Sequence, residues 1–393
     1  MLKAAAVTPK HTLAVTALYY LSFVMLGLFT SSLGPTLPYL AGNVGATLQA
    51  ASILFAARSF GYMMGALVGS RLYDKVAGHT LICAVLLGMS GVLALIPFVA
   101  LLWLLTLSMF VLGALESTLD TGANTLLVWL HREKVGPFMN GLHFMFGVGA
   151  FLVPIVVAQA TLHLGSPSWA YWFLALLPLP LLLVFTRLPS PRAEARPQEA
   201  SGAPSRSVRS PLVLLIAGFF FFYAGVEIAF GNWIYSYAAQ VGIADEITAN
   251  YLTSAFWGAF TLGRLFTVPL ALKLRPRQLL WLCQAGAAAS LLPMLLAPQH
   301  TLLMWLGSIG LGVAIAAVFP TMITLAERNM TIQGSTMGVF FVGVSLGAMT
   351  IPWLIGQFFE RAPYGMLITV AASFVLSTLM LLLILTQTHR QRG

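Results

Sequence analysis

Five ionisable side chains stand inside long apolar stretches: Arg58, Glu116, Asp120, Glu227 and Arg264. In hydrocarbon each costs roughly 2.5–3.5 kcal/mol on insertion scales, so each must pair, reach water or serve a function. Glu116, Asp120 and Asn124 recur at i, i+4, i+8, which puts all three on one face of a helix, with Ser117 and Thr121 beside it. Such a face either lines a polar cavity, where a buried carboxylate gains and loses a cation, or packs as a static Arg58–Glu116 or Arg58–Asp120 bridge. One arginine cannot neutralise two carboxylates, so the second acid needs a role of its own. Asp120, Glu116, Glu227 and Arg58 therefore form the candidate group for coupling to a proton or a sodium ion, the sodium resting at Asp120. No other metal site and no cofactor is expected.

A second group has the chemistry of solute binding. Glu227-Ile-Ala-Phe-Gly231-Asn232-Trp233-Ile-Tyr235-Ser-Tyr237 combines an acid, an amide and aromatic rings with a glycine able to break a helix. Sugar hydroxyls need bidentate amide or carboxylate partners and their C–H faces stack on Trp or Tyr, while buried polar groups reject analogues that leave them unpaired. The competing reading places Trp233, Tyr235 and Tyr237 in an interfacial aromatic belt; for Tyr237 the belt is favoured, for Asn232 and Trp233 the cavity. Asn140 and His143 share a face at i, i+3, His143 about two turns inside the surface, as a packing residue or as a substrate or proton ligand. Asn124 and Trp257 complete the substrate-facing set. Arg264 follows Trp257 on its helix, and Ser70-Arg71-Leu-Tyr-Asp74-Lys fills a short gap at the equivalent position of an earlier helix. A carboxylate there can accept hydrogen bonds from a neighbouring helix N-terminus and hold that side shut, so Arg71, Asp74 and Arg264 are candidates for a cytoplasmic gate; the alternative is an ordinary solvated loop.

The elements that must position these residues follow from composition. The 393 residues are 59% hydrophobic and 8% charged, against about a quarter charged in a soluble domain, so a soluble enzyme is excluded and the lipid bilayer is the expected surrounding. A membrane helix takes roughly 20 apolar residues, and cutting at charges and turn signals predicts twelve: 12–41, 47–71, 79–97, 100–130, 136–160, 168–187, 211–240, 247–272, 278–297, 300–326, 333–358 and 364–386. These runs lack the period-2 alternation of a β-barrel. The +9 net charge is a topology signal rather than a nucleic-acid footprint, because 17 of the 20 Lys and Arg fall in alternate gaps or at the termini; this places both termini in the cytoplasm. Lys3 and Lys10 precede an apolar run too long for a signal-peptide core. Cys83 and Cys283 lie within apolar runs, which leaves no disulfide framework or zinc site.

Residues 189–210, rich in Pro, Ser, Ala and Arg, cannot bury an apolar face and read as a cytoplasmic linker between helical halves 1–188 and 211–393. A shift of 198 residues lays Gly149-Ala150-x-x-x-Pro154 on Gly347-Ala348-x-x-x-Pro352 and Gly27 on Gly225, as an internal duplication would. Two six-helix halves joined in this way are the layout of a major facilitator transporter, with its site near the midplane.

The motifs carry a family resemblance. Ser70-Arg-Leu-Tyr-Asp74-Lys resembles the loop signature of the major facilitator superfamily, with Ser70 in place of its glycine and His79 in place of its basic run. Leu119-Asp-Thr-Gly-Ala-Asn124, Gly141-Leu-His-Phe-Met-Phe-Gly-Val-Gly-Ala-Phe-Leu-Val-Pro154, Gly225-Val-Glu-Ile-Ala-Phe-Gly-Asn-Trp-Ile-Tyr235 and Phe256-Trp-Gly-Ala-Phe-Thr-Leu-Gly-Arg-Leu265 are similar to the sodium-dependent glucose transporter type 1 group, related to the fucose–galactose–glucose:proton symporters. The resemblance implies import of a hexose or similar polyol across the cytoplasmic (inner) membrane, driven by a cation gradient, by a monomer with no nucleic-acid partner. Proton-coupled efflux by the same fold is the competing class. Its usual arginine in helix 4 and Gly-Pro pair in helix 5 are missing here, where helix 4 is acidic and Pro154 has no neighbouring glycine. No nucleophile–base pair or metal-ligand cluster suggests an enzyme.

Overall fold

The computed structural model describes residues 9–191, 210–330, 332 and 334–390. Lys3, Arg192, Arg196, Arg206, Arg209, Arg392 and nearly all of the 189–210 linker lie outside them, as do the side chains of Lys10 and Arg390. Among the described residues every regular element is helical, and they form twelve membrane-length segments. In chain order these are α1 (Pro9–Thr30 continued by Leu33–Asn43), α2 (Leu48–Ala51 continued by Ile53–Tyr73), α3 (Gly78–Leu95), α4 (Leu102–His131), α5 (Val135–Leu164) and α6 (Ser168–Leu176 continued by Leu179–Phe185). The second set is α7 (Pro211–Gln240), α8 (Glu246–Lys273), α9 (Pro276–Leu296), α10 (Thr301–Ile315 continued by Val318–Glu327), α11 (Gly334–Phe358) and α12 (Gly365–Arg390).

Four segments that read as single helices are interrupted, α2 at Ser52 and three others ahead of a proline. A proline ring clashes with the carbonyl four residues earlier and offers no N–H to it. Pro35, Pro180 and Pro320 point back to Ser31, Leu176 and Ala316, where α1, α6 and α10 break. Between α4 and α5 the apolar stretch Leu102–Leu164 runs unbroken in composition, yet the chain reverses at Arg132, whose φ of 53° is the one positive value at a non-glycine residue among those described. Side-chain caps start two helices at the opposite face of the bundle: Thr47 Oγ1 accepts from the Ala50 N–H at 3.1 Å and Asp245 Oδ1 from the Thr248 N–H at 2.8 Å. Hydrogen bonds from the Thr248 side chain, and then from its N–H, hold the Asp245 carboxyl below the usual carboxylate range.

Lipid removes most of the hydrophobic drive for helix association, so close backbone approach fastens the helices instead. Along the α2–α4 seam a Cβ on Gly61 would stand 2.0 Å from the Phe110 carbonyl oxygen, one on Gly65 2.2 Å from that of Ala114, and one on Gly113 2.0 Å from that of Arg58. Gly149 meets the Val24 carbonyl of α1 and Gly347 the Phe221 carbonyl of α7 in the same way. These two glycines are the pair superimposed by the 198-residue shift, and each presses against the first helix of its own six.

The start of α1, the end of α12 and the α2–α3, α4–α5, α8–α9 and α10–α11 connections lie at one face, here the terminal end; the α1–α2, α5–α6, α7–α8 and α11–α12 connections lie at the far end. The two sets of six meet where α5 packs along α8, α2 along α11 and the outer part of α1 on α7. Among the described residues, the hydrogen bonds that cross between them are Leu48 N–H to Glu360 Oε1 at 2.8 Å, Gln357 to Ser52 Oγ at 3.1 Å, Gln159 to the Tyr251 hydroxyl at 2.8 Å, Ser254 to the Phe151 carbonyl at 2.9 Å and Arg264 to the His143 carbonyl at 3.4 Å. All but the last lie in the far half. The bundle is latched at the far end, and its two sets part toward the terminal end.

Candidate functional site

Two parallel rungs tie α2 to α4 in the middle of the bundle. In the first, Arg58 Nη2 meets Glu116 Oε1 and its Nε donates to Oε2 at 3.1 Å, while Nη2 also donates to the Phe29 carbonyl at 2.5 Å. Glu116 is 1% exposed and Arg58 6%. One turn along, the Tyr62 hydroxyl donates to Asp120 Oδ2, and the Asn124 amide donates to Asp120 Oδ1 at 2.7 Å and to its carbonyl at 2.9 Å. The close glycine contacts of this seam bring the backbones near enough for both rungs to form.

The rungs differ in what they face. Both carboxylate oxygens of Glu116 are taken by Arg58, so these two expected members of the coupling group neutralise each other in the packed interior. Asp120 and Asn124 remain partly exposed, and Asp120 acts electrostatically on the His143 imidazole. His143 and Asn140 are exposed on α5, with the His143 ring edge-on to Phe23 at 5.7 Å. Across the interface Arg264 reaches the His143 carbonyl, stands over the Phe260 ring at 4.6 Å and acts on both His143 and Glu227. Glu227 is partly exposed, with the Tyr223 hydroxyl beside it; that hydroxyl also donates to the Ile315 carbonyl at 3.2 Å, at the break in α10. At 1.5 Å per residue, His143, Arg264 and Asp120 lie about 12–17 Å from the terminal ends of their helices and Glu227 about 24 Å. Two acids, an imidazole and a guanidinium from four helices, two in each set of six, thus gather where the sets begin to part.

Several predicted residues fall elsewhere. Trp233 is fully buried, its indole N–H donating to the Pro352 carbonyl at 2.9 Å, its ring 4.5 Å from Phe359 and 5.7 Å from Phe55. It is a packing residue of the far-end seal and faces no crevice. Trp257 is 7% exposed and rests on Gly231. That glycine makes room for the ring instead of breaking α7, which is continuous through it. Tyr237 is not in an exposed belt: it is buried at the far end, its hydroxyl bonded to the Pro298 carbonyl at 3.0 Å. Asn232 is partly exposed, its amide turned back to the Ile228 carbonyl at 2.9 Å and its backbone against Gly34.

Arg264 does not join Arg71 and Asp74 at the surface, because it stands more than two turns inside α8. Arg71 and Asp74 are exposed at the terminal end, where the two sets are parted and, among the described residues, neither has a hydrogen bond or ion pair across the gap. The contact expected of Asp74, a carboxylate on a helix N-terminus, is instead made at the far end by Glu360 on the first turn of α2.

Sequence reasoning missed Tyr62, Tyr223 and Glu360. Tyr62 follows Arg58 by four residues and Tyr223 precedes Glu227 by four, so both lay on faces already singled out. Glu360 carried no such signal, since its partner is 312 residues away. The oxygens of Asp120, Asn124 and Tyr62 could receive a proton or a small cation, and no group of three or more His, Cys, Asp or Glu able to hold a metal occurs among the described residues.

Residues 19–352 match the profile of the Major Facilitator Superfamily. The chain belongs to this superfamily. As a superfamily member it is a multi-pass membrane transporter, and it is 32% identical over 373 residues to sodium-dependent glucose transporter 1A of Mus musculus, covering 86% of this chain and 88% of that one. Sodium-dependent glucose transporter 1 of Homo sapiens is 31% identical over 374 residues, covering 85% and 71%. The superfamily fold is also that of the nucleoside transporter NupG, with a TM-score of 0.76 at 14% identity, covering 96% of this chain and 99% of that one. A bacterial homologue of the human lysosomal transporter Spinster, in an inward-facing and unoccupied conformation, gives 0.75 at 12% identity, covering 97% and 98%.

Proposed function

We propose that this transporter imports a hexose or similar polyol by alternating access, driven by a proton or sodium gradient, with Asp120 as the acid that takes up the cation. The observation that carries this reading is the Asp120 cluster: a half-exposed carboxylate deep in the bundle, held by Tyr62 and Asn124 and facing His143 beside the interface. A carboxylate in that position binds a cation more readily when a polar substrate excludes water around it. By linkage, each ligand raises the affinity for the other by the same factor. Glu227 and Arg264 supply the hydroxyl-binding acceptor and donor from the second set, with Asn140 and His143 opposite. The similarity to sodium-dependent glucose transporters over both sets of helices supports the sugar, and the charge bias of the gaps supports a cytoplasmic terminal end in the inner membrane. The described conformation is then open to the cytoplasm. All the side chains assigned to the site come from one chain, in keeping with a monomer, and the reading calls on no cofactor.

The test is uptake of radiolabelled hexoses by proteoliposomes under an imposed sodium gradient, a proton gradient, or neither. Accumulation above equilibrium under one gradient supports symport and names the ion. If the protein, shown to be folded, takes up no hexose under any of the three conditions, the sugar reading is wrong.

A further inference from the structure

Tyr223 lies one turn before Glu227 on the same face of α7 and is 5% exposed. Its ring stacks on that of Phe219 at 6.3 Å, which holds it against the helix. Two acceptors stand at its hydroxyl, the Ile315 carbonyl at 3.2 Å and the Glu227 carboxylate. A phenol has one proton to give, and 3.2 Å is long for an O–H···O bond, whose usual length is about 2.7–2.8 Å. The oxygen is thus placed between two competing partners. A bond to an ionised carboxylate is roughly twice as strong as one to a carbonyl. A bare Glu227 therefore draws the hydroxyl away from Ile315, and a Glu227 already supplied with donors leaves it there. Arg264 and Cys283 are the other ionisable groups that act on this hydroxyl.

Ile315 ends the first piece of α10, and the second piece, Val318–Glu327, runs on to the terminal end. At this joint the Ala316 carbonyl finds no N–H four residues on, because Pro320 has none. The two helices touch on both sides of the joint, through the Tyr223–Ile315 bond on the deeper side and through the Phe220 and Phe319 rings, 4.8 Å apart, nearer the terminal end. Apolar contact is non-directional and tolerates sliding, whereas a hydrogen bond prescribes an angle. We infer that Tyr223 is the positioning residue that links the state of Glu227 to the joint in α10, its hydroxyl turning from one acceptor to the other as the carboxylate gains or loses donors. The proton stays on the tyrosine oxygen throughout. The inference rests on the reading above that solute hydroxyls donate to Glu227. A bound solute then secures Ile315 and the described angle of α10. Its departure turns the hydroxyl to Glu227 and frees the second piece of α10, at the end where the two sets of helices must close again.

The test is a double-mutant cycle read by double electron–electron resonance on the full-length protein in proteoliposomes. Spin labels are attached at Lys134→Cys, in the α4–α5 turn, and at Thr324→Cys, on the second piece of α10. Cys83→Ser and Cys283→Ala remove the native thiols without setting a new hydroxyl beside Tyr223. The labelled parent, Tyr223→Phe, Glu227→Gln and the pair are compared without solute. Glu227→Gln removes the charge that competes for the hydroxyl, and should raise the ratio of the described separation to any other about five-fold, the effect of one neutral hydrogen bond. In the Tyr223→Phe background the same change should move that ratio less than about two-fold. Pro320→Ala returns the missing N–H and should likewise make α10 insensitive to Glu227→Gln, which decides the matter if Tyr223→Phe does not fold. Because the cycle involves no solute, it is separate from the sugar reading. Coupling found without hexose uptake upholds the link and discards the hexose; hexose accumulation with additive effects of the two substitutions overturns the link. The link is also overturned if Glu227→Gln leaves the separations unchanged in both backgrounds.

Discussion

Replacing Glu116 by Gln would leave the Arg58 guanidinium, 6% exposed, without a counter-charge in the packed interior. Removing one partner of a buried pair costs about 3–5 kcal/mol, whereas removing both often costs little. The double variant Arg58→Met/Glu116→Gln also loses the donor to the Phe29 carbonyl, which adds about 1 kcal/mol. The double should therefore be more stable than Glu116→Gln alone, with a coupling energy of about 2 kcal/mol or more between the sites. The assay is thermal unfolding of the four detergent-purified proteins at one scan rate, followed by tryptophan fluorescence. The double should melt above the Glu116→Gln single. If the two losses simply add, the pair is not a closed unit, and Glu116 returns to the list of groups free to exchange a proton.

Glu360 latches the sealed end, and a carboxylate at a helix N-terminus contributes about 0.3–1 kcal/mol. Glu360→Gln should then shift the population about two- to five-fold toward a conformation open at the far end. A cysteine at Ser52, in a background with Cys83 and Cys283 replaced by Ser, should be labelled faster from that side; an unchanged rate would show that the latch does not limit opening. Trp233→Ala removes a fully buried indole and should cost about 3–5 kcal/mol of stability, with substrate affinity per folded molecule unchanged. A loss of affinity at unchanged melting temperature would make Trp233 a substrate ligand.

Much of the fold was legible because membrane insertion imposes length, apolarity and charge asymmetry on the sequence itself. The helix 4 face was legible for the same reason: Glu116, Asp120 and Asn124 could share a face only if that face met something polar. What met it was not legible. Whether Arg58 paired with Glu116 or Asp120 depended on the rotation of α2, and that was set by where Gly61, Gly65 and Gly113 let the backbones touch. Trp233 and Tyr237 were misplaced because a ring near a helix end can face lipid, cavity or neighbouring helix with the same sequence spacing. The distance of Arg264 from its helix end suggests a surface gate; the structure bonds it to the His143 carbonyl and sets it within electrostatic reach of Glu227, an arrangement that only the approach of α5, α7 and α8 creates. The helix breaks in α1, α6 and α10 were available in principle, since each lies four residues before a proline.

On this reading Asp120 exchanges the coupling ion, while Arg58 and Glu116 only support it. The most direct measurement compares wild type and Asp120→Asn in the same proteoliposomes, reading gradient-driven accumulation of labelled hexose and, separately, exchange of labelled for unlabelled hexose at equilibrium. The variant should lose accumulation and keep exchange, because the amide keeps the size of the side chain and can accept from Asn124 while its NH2 donates to the Tyr62 oxygen, but it cannot gain or lose a charge. A variant that accumulates substrate as the wild type does would contradict this reading.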